Sequence, residues 1–76
     1  MNAERRKNLA KALELLEEAK SMLETAREDE QEYFDAMPES FQGGDKGDKA
    51  QHVISQLDDA FNAAETAVDS IIESLE

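Results

Sequence analysis

The sequence has no cysteine and no tryptophan, and only one proline, one histidine and three glycines among 76 residues. Without cysteine there is no disulfide to brace the fold and no thiolate to hold a metal. With one histidine, His52, and no Glu-x-x-His, the ligand set of a helical di-iron site is missing. No apolar run is long enough to span a membrane. The opening "ERRK" leads into an amphipathic pattern, not into the apolar block and cleavage site of a signal peptide, so the expected location is the cytoplasm. Bases are scarce: eight against nineteen acids leave a formal charge of −11. That balance argues against direct binding of nucleic acid or anionic membranes, both of which require neutralisation of negative groups. A basic protein partner, a cation or solubility alone is consistent with it.

High net charge with low hydrophobicity is also a signature of disorder, but the apolar residues are placed too regularly for that reading. Leu9, Ala12, Leu16, Ala19, Leu23, Ala26, Glu30, Tyr33 and Met37 recur at alternating steps of three and four, with only Glu30 interrupting the row. With Leu9 at heptad position a, these residues fill a and d. Leu13 and Phe34 at e, with Leu15 and Met22 at g, widen the stripe. In the second half, Ala50, Val53, Leu57, Ala60, Ala64, Ala67, Ile71 and Ser74 fill a and d, while Ile54, Phe61, Val68 and Leu75 repeat at e. The expectation is one all-α domain over residues 1–76, with helices over 3–36 and 48–75 and a loop over 37–47.

The loop carries its own signals. Pro38 disfavours a helical Met37 and so ends the first helix. Gly43, Gly44 and Gly47 offer freedom for a chain reversal. Asp48 and Gln51 have the spacing of a capping box. A short link predicts an antiparallel two-helix hairpin. The d-position alanines permit close approach, yet each stripe is wider than one partner helix can cover. Leu13, Leu15, Met22, Ile54, Phe61 and Val68 are therefore the expected homodimer interface, pairing two hairpins into a four-helix bundle. A core this small is marginal alone, which favours oligomerisation.

"REDEQEYFD", residues 27–35, crowds five carboxylates into the end of the first helix, where the macrodipole disfavours them. Antiparallel folding would set them beside Lys46 and Lys49, and would set Arg5, Arg6, Lys7 and Lys11 beside Asp69, Glu73 and Glu76. Five acids against two lysines leave a surplus. Glu24, Glu28, Asp29, Glu32 and Asp35 are the candidate partner-binding face. Carboxylates three and four residues apart on a helix lie about 5–6 Å from one another, a spacing comparable with phosphates along a nucleic-acid strand. Met37 and Phe41, in an apolar group at the turn with Tyr33 and Phe34, form a second candidate surface, although plugging the hairpin's open end is their simpler role. Ile72, at b, is an apolar residue on a face expected to be wet.

Catalysis finds little support. Glu14-x-x-Glu17 and Glu32-x-x-Asp35 match the carboxylate spacing of the MazG-type nucleotide pyrophosphatases, whose acids hold Mg²⁺. In that family the two pairs sit on converging helices; here one helix carries both, about 27 Å apart at 1.5 Å per residue. "GGDKGDK" lacks the ligand spacing of an EF-hand, and no serine, threonine or lysine has an activating partner. No cofactor is expected, and the chain reads as a non-enzyme.

The segment "EDEQEYFDAMPESFQGGDKGDKA", above all "EYFDAMPESFQ", resembles short acidic helical proteins of unknown function encoded by bacteriophages and bacterial mobile elements. The likeness extends over the latter two-thirds of the chain. It implies a bacterial host cell and, by analogy with small acidic phage proteins, an inhibitor or modulator, some of which mimic DNA. The functional expectation is thus a non-catalytic protein whose acidic faces engage a basic, nucleic-acid-binding protein surface. Its rival is a structural or adaptor bundle whose charge only maintains solubility.

Overall fold

The computed structural model describes residues 2–76. It contains α1 (Ala3–Asp35), the single turn α2 (Glu39–Gln42) and α3 (Asp45–Leu75), with no strand among the described residues. Asn2 starts α1: its side-chain oxygen accepts from the Arg5 backbone N–H at 2.7 Å, which satisfies one of the donors that the first turn leaves open. Before Pro38 the helix closes with Ala36 and Met37 N–H groups bonding back to Glu32 and Phe34 carbonyls. The Gln42 side chain donates to that same Phe34 carbonyl at 3.1 Å, so α2 helps cap the end of α1.

α3 begins three residues earlier than the sequence suggests. Gly44 is the N-cap, and no side chain bonds to the first turn, so the box expected at Asp48 and Gln51 does not form. Asp45 and Asp48 instead both lie in the first turn, where the positive end of the dipole favours them. The glycines also work differently from expectation, since none has a positive φ. Gly47 is buried against the backbone of Gln42: a Cβ there would overlap the Gln42 carbonyl oxygen and lie 2.5 Å from its carbon. Close approach, not conformational freedom, makes glycine necessary at this position.

α1 and α3 lie side by side and run in opposite directions. Arg6 donates to the Leu75 carbonyl at 2.9 Å at one end, and Arg27 pairs with Asp58 in the middle at 2.5 Å. The result is a rod of 58 × 14 × 14 Å. Its apolar core is thin. Among the described residues only Ala50 and Val68 are buried apolar side chains, at 1% and 3% exposure, while the rest of the a and d seam, from Leu9 to Ile71, is mostly half-buried.

The two flanks of the seam are unequal. Lys20 and Phe61, both at e, meet with the ammonium 5.3 Å from the ring centre, so the e rows of both helices share one flank and the g rows share the other. On the e flank, Lys20 is only 19% exposed in its side chain, and Arg27 closes over Asp58. These long stems cover apolar surface while their charged heads stay wet. On this same flank Val68 is buried, and Leu13, Ile54 and Phe61 are half-buried, within one chain. The expected six-residue interface therefore does not form one patch: Val68 has no surface left for a second copy, and only Leu15 and Met22, on the opposite flank, stand out as exposed.

Candidate functional site

The candidate acids toward the end of α1 face solvent. Glu24, Glu28, Asp29, Glu32 and Asp35 are all exposed. Among the described residues the ion pairs are Lys11–Glu14 at 3.7 Å, Lys20–Glu17 at 4.0 Å and Arg27–Asp58 at 2.5 Å, none of which uses these five acids. Asp35 accepts a hydrogen bond from Gln31 at 3.0 Å, one turn back on the same helix.

Of the partners expected from charge order, Lys46, Arg6 and Lys11 are engaged elsewhere. Lys46 lies over the Phe41 ring, 5.6 Å from its centre. Glu30 is half-buried and shares a groove of about 310 Å³ with Tyr33, Lys46 and Lys49, without forming an ion pair. At the other end of the rod, Arg6 bonds a backbone carbonyl of α3 and forms no ion pair with Asp69, Glu73 or Glu76. A guanidinium placed there satisfies an orphan carbonyl and complements the negative end of the helix dipole.

The turn does not form the expected plug. Tyr33 and Phe41 are 53% and 51% exposed, while Phe34 and Met37 are half-buried. Together with Ala36, Pro38 and Lys46, the residues Tyr33, Met37 and Phe41 line an open groove of about 270 Å³. The second candidate surface is thus accessible and adjoins the acidic end of α1. The stretch "GGDKGDK" is largely helical, since Asp45 to Lys49 form the first turn of α3.

The carboxylates with pyrophosphatase-like spacing, Glu14, Glu17, Glu32 and Asp35, all lie exposed on the unbroken α1. Among the described residues no three histidine or acidic side chains are placed to hold a metal ion. His52 is exposed on α3. No helix among the described residues is long and apolar enough to cross a membrane.

Lys20 and Arg27 are the residues whose structural part the apolar pattern concealed. Their signal was available: in α1 the e row reads Leu13, Lys20, Arg27, Phe34, so two long stems stand where the stripe calls for apolar cover. Comparison with protein-family models, curated proteins and solved structures finds no match to this chain.

Proposed function

We infer that the chain acts by binding, and that its binding surface is the outward acidic face of α1 toward the turn, directed at a basic protein. The observation that carries this reading is that Glu24, Glu28, Asp29, Glu32 and Asp35 are exposed and make no ion pair with the fold. Glu32 and Asp35, in the last turn of α1, sit against the helix dipole and cost stability where they are. A basic partner would offset that cost. Carboxylates at three- and four-residue spacing on a rigid rod offer such a partner a row of charge like that of a nucleic-acid backbone. The phage-like turn segment extends the proposal to an inhibitor of a nucleic-acid-binding protein in a bacterial host.

The test is a pull-down from bacterial lysate with the full chain at low and high salt, beside a Glu24→Gln, Glu28→Gln, Asp35→Asn variant. A partner lost at high salt and lost by the variant is the expected result, because the screening length falls from about 10 Å at 0.1 M to about 3 Å at 1 M. A partner retained under both conditions, and lost instead with Met37→Ala and Phe41→Ala, would transfer the site to the turn groove. Absence of any partner would leave the assembly reading, in which the exposed Leu15 and Met22 are the chain's working surface.

A further inference from the structure

One flank of the rod is left open. Leu15 and Met22, seven residues apart on α1, are 53% and 67% exposed. Ala26, a core position of the repeat, is exposed beside Met22 in a shallow groove with Ser21, Thr25 and Asp29. On the same flank α3 contributes Ala63 and Ser70, small and exposed, so a ridge of large side chains stands beside a low strip.

The charge order of α1 selects what can cover that ridge. Residues 3–20 carry five bases and four acids, whereas residues 21–35 carry one base and six acids. A second copy laid antiparallel sets the basic half of each α1 against the acidic half of the other. Seating Leu15 on Met22 of the second copy, and by two-fold symmetry Met22 on its Leu15, brings Arg5 opposite Glu32 and Asn8 opposite Asp29. A parallel copy would stack acids on acids. Glu18 lies nearest the axis and meets its own copy, a local cost that the two end contacts offset. Asp29 and Glu32 then belong to the contact between copies, while Glu24, Glu28 and Asp35, at b and f, remain outward for a basic partner.

The rod leaves more surface exposed than a compact chain of its mass would. The chain exposes 5588 Å², about 900 Å² more than the roughly 4,700 Å² of a compact monomer of its 8.5 kDa. A standard interface buries about 800 Å² per partner.

We propose that the g flank of α1 is a self-association surface, on which two chains pack α1 against α1 in antiparallel, two-fold fashion through Leu15 and Met22. Sedimentation equilibrium of the full chain from micromolar to millimolar concentration reads the mass. The expected result is twice the 8.5 kDa chain mass at the upper end. Met22→Glu should weaken association by more than about a hundredfold, because symmetry buries the new carboxylate twice, with the far-UV circular dichroism unchanged. A wild type that stays monomeric throughout overturns the proposal, as does a Met22→Glu variant that dimerises like wild type.

Cysteine pairing tests the geometry without burying a charge, since the chain has no cysteine of its own. On mild oxidation the Leu15→Cys, Met22→Cys double variant should form a covalent dimer, while each single variant stays largely uncrosslinked. Efficient crosslinking by either single variant would overturn the antiparallel arrangement. These assays contain no partner protein and leave Glu24, Glu28 and Asp35 intact, so their failure is distinct from failure of the acidic-face reading.

Discussion

Gly47→Ala isolates the contact on which the chain reversal depends. The added Cβ would lie 2.5 Å from the Gln42 carbonyl carbon and 2.7 Å from its Cα. Carbon atoms rest about 3.5–4.0 Å apart, so α2 and α3 must separate by roughly 1 Å. The obstacle is backbone, and no rotamer change relieves it. Overpacking of this kind costs about 1–3 kcal/mol or more. Alanine inside a helix recovers roughly 0.8–1.0 kcal/mol of propensity, which leaves a net loss of up to about 2 kcal/mol. For a chain of this size each kcal/mol moves the Tm by about 4–8 °C, so the variant should melt lower, by up to about 15 °C. Thermal circular dichroism at one fixed protein concentration is the assay, because association makes Tm depend on concentration. Gly43→Ala is the control, with nothing within 4 Å of its Cβ and an ordinary φ of −88°. It should leave Tm unchanged or raise it, through an unfolded chain with fewer states to lose. If Gly47→Ala raises Tm as Gly43→Ala does, the contact between α3 and Gln42 is not made, and this account of the turn fails.

Four further outcomes follow from the observed packing. Arg27→Ala should destabilise by roughly 1–2 kcal/mol and Asp58→Asn by less than about 1 kcal/mol, because the half-exposed ion pair is weak while the arginine stem covers apolar surface; urea melts of both variants give the ratio, and equal losses would show that the pair matters more than the packing. Val68→Ala, at one of the two buried apolar side chains, should cost about 2 kcal/mol by lost burial and residual cavity. Leu15→Ala at low micromolar concentration should cost under about 0.5 kcal/mol, as an exposed side chain does. Asn2→Ala removes the N-cap bond to Arg5 and should cost about 1 kcal/mol, with Asn2→Asp retaining most of the stability; amide exchange in the first turn of α1 would locate the effect.

The helices were legible because their signals are local. The a and d rows running from Leu9 and from Ala50 require only the period of a helix, and Pro38 marks the end of α1 to within a few residues. The start of α3 was misplaced because Asp48 and Gln51 satisfy a local capping rule, while the true start depends on Gly47 fitting against Gln42, a contact outside any local pattern. Glu28, Asp29, Glu30, Glu32 and Asp35 could be singled out as unusual from their place near the negative end of the helix alone. That the fold supplies them no ion pair could not, since Lys46 has an alternative over Phe41.

By itself, then, the sequence determined an all-helical chain with two long amphipathic segments and an excess of acid at one end of the first. Periodicity, a helix-ending proline and a count of charges suffice for that. Only the tertiary structure decided which flank of the seam is covered. Lys20 and Arg27 read as polar in any pattern, yet their aliphatic stems lie along α3 and leave Leu15 and Met22 as the open side. Cover depends on where the far end of a long side chain comes to rest, and that is set by the neighbouring helix.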